Sequence, residues 1–292
     1  MNTSKGKTSK RLLGVLAAAL SLFAFTERAE AQEILLTGPL AGAPAVRKLR
    51  LYREGRFEFA PTVSFTLLDE YQRTILLGAR LGYNFTDWLG IGVWGAYGGV
   101  LQMPTALTEH IQDVNTQRRT SAGDGYERSL TGLLTDTNLG TDFKKQVALI
   151  DWAVSPQITV VPLRGKIALF QSIYIDTDLY VFGGPAFVGL KERKDCERGT
   201  CGGSFERVSR TAIAPTFGLG LSFYANSWGG LGLEYRALPF SWNTGGFDTA
   251  GSGKDEKFPD ERISSADRQF KFNQLLSVSY TIFLPTQFRI SE

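Results

Sequence analysis

The sequence predicts an all-β protein: an antiparallel transmembrane β-barrel, most simply of eight strands, with long external loops and short periplasmic turns. Three observations lead to this prediction. Apolar and polar residues alternate in eight segments, the connections between segments differ in length in a regular way, and aromatic residues cluster near segment ends. A soluble β-sandwich also shows period-two alternation, so the other two observations favour the barrel.

Residues 1–31 have the three parts of a secretory signal peptide. Basic residues precede an uncharged apolar run of 14 residues, Leu12 to Phe25, and Ala29-Glu30-Ala31 supplies the small residues before an expected cleavage at Gln32. The run is shorter than the ~20 residues of a membrane-spanning helix. We therefore expect Sec-type export to the outer membrane of a Gram-negative bacterium. The expected segments are a signal peptide at 1–31, a periplasmic N-terminal segment at 32–54, the barrel at 55–284 and a periplasmic C-terminal tail at 285–292.

The charge of the exported chain is balanced. The signal peptide holds five of the 32 Lys and Arg residues and two of the 29 acidic ones, which leaves 27 of each. A formal net charge of zero gives no support for nucleic-acid binding.

The predicted strands follow from the alternation. In the first, the apolar face holds Phe57, Phe59, Val63, Phe65 and Leu67, whereas the residues between them include Glu58, Thr62, Ser64 and Thr66. Equivalent patterns predict strands at 56–67, at 74–85, from Leu89 onward, and at about 146–160, 174–189, 211–224, 230–241 and 268–284. Five prolines inside these segments argue against their limits, because proline cannot donate a ladder hydrogen bond. They are Pro61, Pro156, Pro185, Pro215 and Pro239.

The connections separate two ends of the predicted barrel. Links at 85–88, 161–173 and 225–229 are the shorter set, and 101–145, 190–210 and 242–267 are longer and polar; only 68–73 breaks the rule. Outer-membrane barrels have short periplasmic turns and long external loops, so both termini are predicted to be periplasmic. Aromatic residues at membrane–water interfaces are predicted near strand ends. They are Tyr83, Phe85, Trp88, Phe223, Tyr224, Trp228, Tyr280 and Phe283.

The face opposite the apolar set carries four acids and three bases. They are Glu58, Arg80, Asp151, Asp178, Glu234, Arg236 and Lys271. The interior of an eight-stranded barrel is about wide enough for side chains, and unpaired charges there are costly. The near-balance therefore predicts a paired network that fills the lumen.

Glycines on the same face have a packing interpretation. Gly90, Gly92 and Gly95 form a literal G-x-G-x-x-G, but a dinucleotide site requires a helix to open within the motif, and the alternation continues instead. No cofactor is predicted. The inward Gly90, Gly92, Gly98, Gly218 and Gly220 are expected to leave room for Arg80, Trp94 and Arg236.

Cys196 and Cys201 are the two cysteines of the chain. An exported protein occupies an oxidising compartment, which favours a loop-closing disulfide. Two thiols without a nearby histidine supply at most half of a zinc shell, so no metal site is predicted there.

Several stretches resemble a known family. They are R53-E-G-R-F-E-F-A-P61, the hairpin from Tyr83 to Val93, P162-L-R-G-K-I-A-L-F170 and D178-L-Y-V-F-G-G-P-A-F187. They are similar to the outer membrane beta-barrel domain family, many of whose members are myxobacterial, over most of residues 46–284. The resemblance implies the fold and location. It implies no catalytic residues, because the family is largely uncharacterised.

Three functions are consistent with this sequence. The favoured one is a barrel with a side-chain-filled lumen and a structural, adhesive or surface-recognition role through its external loops, in contact with outer-membrane lipids, lipopolysaccharide and the barrel assembly machinery. The alternatives are a narrow solute or ion channel and a lipid A-modifying enzyme. The last would use His110 with Glu109, Asp113 and Ser121, although the spacing of the nearby apolar residues indicates an amphipathic helix. Loop carboxylates such as Asp248, Asp255, Asp260 and Glu261 could bind divalent cations, but they match no calcium-loop pattern.

Overall fold

Eight antiparallel strands form one closed barrel in the computed structural model, as the alternation predicts. The structure describes residues 53–121, 142–169, 173–197, 201, 206–224, 226 and 228–286. The strands are β1 (Arg56–Leu67), β2 (Gln72–Asn84), β3 (Leu89–Pro104), β4 (Leu149–Leu169), β5 (Ile173–Arg193), β6 (Arg207–Tyr224), β7 (Gly229–Trp242) and β8 (Gln269–Leu284). Each strand pairs with its chain neighbours, and β1 pairs with β8 to close the sheet, with Phe57 opposite Leu284.

Two helices lie in the described parts of the connection between β3 and β4, residues 105–121 and 142–148. Helix α1 spans Ala106–Ser121 and the single-turn α2 spans Phe143–Gln146. The predicted amphipathic helix in this loop is therefore present. Across the described ranges, no helix combines the length and the apolar character that crossing a membrane would require. The described residues belong to one compact unit, and the predicted signal peptide lies outside them.

The long connections lie at one end of the barrel, which we call the upper end, and the start of β1 lies at the lower end. One short connection was predicted too long: β4 and β5 continue through most of 161–173 and pair from Leu163 opposite Leu179 to Leu169 opposite Ile173. A register shift between Val160 and Leu163 precedes this extension. Pro162 falls in this irregular step of the ladder, where a residue without an N–H is tolerated.

The five prolines all lie inside strands, and the ladder is interrupted beside several of them. Pairing of β4 with β5 skips from Val154–Phe187 to Ile158–Gly183, which leaves Pro156 and Pro185 without ladder partners in this strand pair. The Ser155 hydroxyl points into the gap and donates a 2.9 Å hydrogen bond to the carbonyl oxygen of Pro185. A side chain thus replaces a backbone donor that proline lacks.

The side chains divide the sheet into an apolar outer wall and a filled interior. In β1, burial alternates strictly from Arg56 to Thr66, with the apolar residues outside. The upper half of the interior holds an apolar cluster. Its largest members are Leu76, Trp94, Ile150, Leu190, Leu238, Phe240, Trp242 and Leu275. This cluster was not predicted, because the interior face was expected to be polar along its whole height.

Candidate functional site

Four of the predicted lumen charges form one buried chain of ion pairs in the lower half of the barrel. Arg80 donates to Glu58 Oε1 from Nη2 at 2.6 Å and to Glu234 Oε2 from Nη1 at 2.7 Å. Arg236 Nη2 donates to Glu234 Oε1 at 2.7 Å. None of these side chains is more than 6% exposed. Strands β1, β2 and β7 each contribute at least one member, so the network connects separate parts of the barrel wall.

Aromatic rings fill the space around this network. The Arg236 guanidinium lies 4.2 Å from the ring centroids of both Trp94 and Phe182. The Arg80 guanidinium lies 4.9 Å from the ring of Tyr180, whose hydroxyl donates to Glu234 Oε2 at 3.1 Å. Cation–π contacts of this kind are strongest where water is excluded. The positive charges are therefore compensated by rings as well as by carboxylates.

Glycines provide the room for these rings. A side chain at Gly218 would collide with Phe182 and with the carbonyl oxygen of Tyr235, and one at Gly220 would collide with Tyr180. Gly92 lies similarly close to the backbone of Leu81. The G-x-G-x-x-G stretch lies within β3, with no helix opening in it. Gly90 and Gly92 serve close packing in a strand, as the alternation predicts, whereas a Cβ at Gly95 would make only ordinary contacts.

Arg53 closes the lower end of the network, although the lumen charges predicted from the alternation do not include it. Its Nη2 donates to Glu58 Oε2 at 2.9 Å and its Nη1 lies 3.5 Å from Asp178 Oδ2. Asp87, in the turn between β2 and β3, accepts the Arg53 backbone N–H at 2.7 Å. Arg164 pairs with both Asp87 and Asp178, at 3.3 and 3.4 Å. Residues before the first strand thus place a 2% exposed arginine across the lower mouth.

Two predicted network members lie elsewhere. Asp151 pairs with Lys191 at 2.9 Å, with side chains 18% and 40% exposed. A register shift between Ile150 and Trp152 changes the alternation at that point, which separates Asp151 from the lumen charges. Lys271 pairs with Glu70 at 3.0 Å near the upper rim, where both side chains are partly exposed. Alternation assigns a residue to a face but not to a height, so Lys271 was grouped with charges far below it.

The predicted interface aromatics also divide. Tyr83, Trp88, Trp228 and Tyr280 lie at the lower end on the outer surface, with Trp88 56% exposed and Trp228 39% exposed. Tyr224 and Phe283 do not, because they are 5% and 0% exposed and pack against each other inside the barrel, with ring centroids 5.7 Å apart. The even-numbered residues of β6 face inward, and Tyr224 follows Gly218 and Gly220 in that series.

The upper mouth is covered by folded loops. Tyr71, Phe143 and Phe247 come from three different loops and form a ring cluster, with Phe143 and Phe247 stacked at 5.4 Å. Arg193, at the end of β5, donates to the Gly246 carbonyl oxygen at 2.8 Å and to the carbonyl oxygen of Cys201. One buried guanidinium therefore connects the loop after β5 with the loop after β7.

Cys196 and Cys201 form a disulfide, with Cα atoms 5.2 Å apart. Cys196 also pairs with Ile263 in an isolated antiparallel bridge. The disulfide loop is thereby attached to the loop after β7. Below it, the buried Glu192 carboxylate accepts from Arg210 at 2.6 Å and from Arg268 at 3.2 Å. The upper mouth is thus built as one connected cap.

The loop after β7, residues 243–268, brings three carboxylates together. Oxygens of Asp248, Asp255 and Asp267 lie within 4.8 Å of one another. Burial raises the pKa of both Asp248 and Asp267, and the charges of neighbouring carboxylates raise them further. Asp260 and Glu261 contribute backbone N–H groups to Asp248 Oδ2 rather than carboxylates to this group.

His110 lies exposed on α1, as do Glu109 and Asp113. The side chain of Ser121, the fourth residue of the predicted catalytic alternative, is outside the described residues. The helix is attached to the barrel at its start, where Thr108 donates to the Tyr71 carbonyl oxygen at 2.6 Å.

Asp69, in the short loop between β1 and β2, provides a pH-dependent contribution to stability. Burial raises its pKa to about 6. A carboxyl with a raised pKa in the folded state stabilises the protein fully below its unfolded pKa of ~4, and this contribution is lost as the pH rises through the folded value. We expect the unfolding free energy of the wild type, relative to that of Asp69→Asn, to fall as the pH rises from 4 to 6 and to be constant above 7. Denaturant unfolding across this range measures it. A difference that stays flat across this range would contradict the assignment to Asp69.

Comparison with known proteins identifies solved barrels as similar in structure. The N-terminal β-barrel domain of Pseudomonas aeruginosa OprF is 10% identical, with 78% of this chain and 98% of that chain covered and a TM-score of 0.38. Neisserial surface protein A is 9% identical, with 78% and 97% covered and a TM-score of 0.34. OprG of Pseudomonas aeruginosa is 8% identical, with 81% and 99% covered and a TM-score of 0.34. No family model and no curated protein matches the chain.

Proposed function

We propose that this protein is an outer-membrane β-barrel of a Gram-negative bacterium, with a closed lumen and a structural, adhesive or surface-recognition role carried by its upper cap. The observation that carries the proposal is the outer wall, on which every strand exposes large apolar side chains. Members from the eight strands include Phe59, Leu81, Ile91, Ile158, Val181, Leu219, Leu231 and Val278, each at least 40% exposed. Soluble monomers rarely expose contiguous apolar patches above a few hundred Å². A continuous apolar wall around a barrel fits lipid.

The height of this wall fits a membrane. On β1 the exposed apolar residues run from Phe57 to Phe65, a span of nine residues. At ~3.3 Å per residue and a tilt of ~40°, they cover roughly 20 Å along the barrel axis, near the ~25 Å apolar band of outer-membrane barrels. Trp88 and Trp228 at the lower edge suit an interface. The Lys191–Asp151 pair lies toward the upper edge of β4 and β5.

The interior supports a role other than conduction. The lower lumen is filled by buried ion pairs and rings, the upper lumen by apolar side chains, and Arg53 lies across the lower mouth. The upper cap is instead the surface that we propose for recognition, because the Arg193 contacts and the Cys196–Cys201 disulfide connect its described loops. We propose outer-membrane lipids and lipopolysaccharide as its surroundings and the barrel assembly machinery as its insertion route. Membership of the outer membrane beta-barrel domain family is part of the same proposal.

The purified protein tests both parts of the proposal. We expect it to require detergent for solubility and to migrate faster in unheated than in heated gels, since a closed barrel resists unfolding by the detergent alone. Insertion into planar bilayers should give no steady conductance. Glu58→Gln, within the lumen network, and Asp151→Asn, outside it, each remove one carboxylate charge, so their conductances are compared directly. A detergent-free soluble monomer would overturn the membrane assignment, and steady wild-type conductance would favour the channel alternative.

A further inference from the structure

The cluster of three carboxylates in the loop after β7 (Asp248, Asp255 and Asp267) is built like a cation site. Two left-handed glycines, Gly251 at φ +59° and Gly253 at φ +73°, turn the stretch D248-T-A-G-S-G-K-D255 back on itself. Residues without a Cβ adopt this conformation readily, and a Cβ at Gly251 would collide with the carbonyl oxygen of Ala266. The turn therefore brings Asp248 and Asp255 together and packs them against the segment that carries Asp267.

Backbone donors fix the three carboxylates in place. Asp248 Oδ2 accepts N–H bonds from Asp260 and Glu261, at 3.0 and 2.7 Å. Asp267 accepts from the N–H groups of Thr249 at 2.8 Å and Ser264 at 2.6 Å. Asp255 Oδ1 accepts the Lys257 N–H at 3.0 Å. The positions of the carboxylates are thus set by the loop itself, and each retains acceptor capacity for another bond.

One oxygen in the group has no protein partner. Asp248 is 9% exposed, and its Oδ1 is buried without a hydrogen bond. In the part of the chain that the structure describes, no Lys or Arg forms a salt bridge with Asp248, Asp255 or Asp267, although their oxygens lie within 4.8 Å of one another. A buried carboxylate oxygen without a partner, beside two like charges, is unfavourable unless a cation lies among them.

We propose that Asp248, Asp255 and Asp267 bind one Ca²⁺ ion in the cap of the barrel. The ligands are all oxygens held in an irregular loop, and Ca²⁺ accepts six to eight oxygens in variable geometry, whereas Mg²⁺ requires a near-ideal octahedron. The buried Oδ1 of Asp248 supplies one of the ligand atoms. The affinity expected for an external site of this kind is in the range of ~10⁻⁴–10⁻³ M.

Binding would stabilise the whole cap, because the loop after β7 is attached to its neighbours. Ile263 pairs with Cys196 of the disulfide loop, and Gly246 accepts from Arg193 of β5. Between the carboxylates lie Lys254 and Lys257, both exposed and suitable for cleavage by trypsin. Ca²⁺ that holds Asp248 and Asp255 together should therefore slow cleavage at these two lysines.

Calcium titration of the folded full-length barrel in detergent micelles tests the proposal. After EDTA treatment, in 0.15 M NaCl, calorimetry should show one saturable Ca²⁺ site, and Ca²⁺ should slow tryptic cleavage at Lys254 and Lys257. Asp248→Asn should weaken binding at least tenfold and abolish the protection. Asp255→Asn should also weaken binding and abolish the protection. Because Asp255 accepts a single backbone hydrogen bond, this variant tests the site independently of any change that Asp248→Asn causes in the loop.

Glu256→Gln is the matched control, since Glu256 is exposed in the same loop and lies outside the carboxylate group. It should bind Ca²⁺ as the wild type does. Heat-dependent gel migration verifies that each variant remains a folded barrel. Absence of saturable binding and protection at 10 mM Ca²⁺ (about ten times the upper end of the expected range) would overturn the site. Binding as tight as that of the wild type in both Asp248→Asn and Asp255→Asn would overturn the ligands, and protection by Mg²⁺ equal to that by Ca²⁺ would overturn the choice of metal.

Discussion

Replacing Arg80 by methionine should lower the free energy of unfolding by about 3–5 kcal/mol, the range observed when one partner is removed from a buried ion pair. Arg80 donates to Glu58, Glu234 and the Tyr180 hydroxyl at 2.6, 2.7 and 2.9 Å. Methionine retains much of the side-chain volume but leaves two buried carboxylates with one fewer counter-charge. The cost therefore comes from uncompensated charge rather than from a cavity.

Urea unfolding in detergent micelles, followed by tryptophan fluorescence, measures this loss. Lys271→Met is the control, because its pair with Glu70 lies at the rim with both side chains partly exposed, and such pairs contribute at most about 1 kcal/mol. The double variant Arg80→Met/Glu234→Gln should recover part of the loss, since it removes one of the excess negative charges. Equal costs for Arg80→Met and Lys271→Met would show that the lumen charges are solvated rather than buried.

Period-two alternation was sufficient to predict the strands and the face of most side chains. It placed Glu58, Arg80, Glu234 and Arg236 on the interior, where the structure finds them in contact. It failed at Asp151, because one register shift inverts the assignment and no residue type marks it. Tyr224 was misassigned for a different reason. Its position at a strand end predicts the membrane interface, but Gly218 and Gly220 indicate that the even-numbered residues of β6 face inward.

Height along the barrel axis was the property that alternation could not supply. The interior changes from charged at the lower end to apolar above Trp94, and both parts have the same period in the sequence. Arg53 is not among the predicted lumen charges because it precedes the first alternating segment and reaches the lumen through a turn at Gly55, at φ +70°. Its partners, Glu58, Asp178 and Asp87, belong to three separate parts of the chain. Only the closed barrel brings them together.

Replacing Gly218 by valine should prevent assembly of the barrel, whereas Gly165→Val should be tolerated. A Cβ at Gly218 would meet the carbonyl oxygen of Tyr235 in the adjacent strand and the ring of Phe182, and neither can move without disturbing the sheet or the Arg236 site. At Gly165, no atom lies within 4 Å of the added Cβ. Both glycines lie in strands, so β propensity favours valine equally at the two positions.

Heat-dependent gel migration of outer-membrane fractions distinguishes the two variants. Gly218→Val should lose the folded band, and Gly218→Ala should lower the midpoint of urea unfolding with the barrel still formed, because a single methyl forces a smaller shift. The substitution Phe182→Leu in the Gly218→Ala background relieves the ring contact but not the contact with the Tyr235 carbonyl oxygen. A partial recovery of the urea midpoint would show how much of the stability loss comes from the ring contact and how much from the backbone contact. A folded Gly218→Val barrel as stable as Gly165→Val would show that interior glycines are not needed for close packing of the lumen.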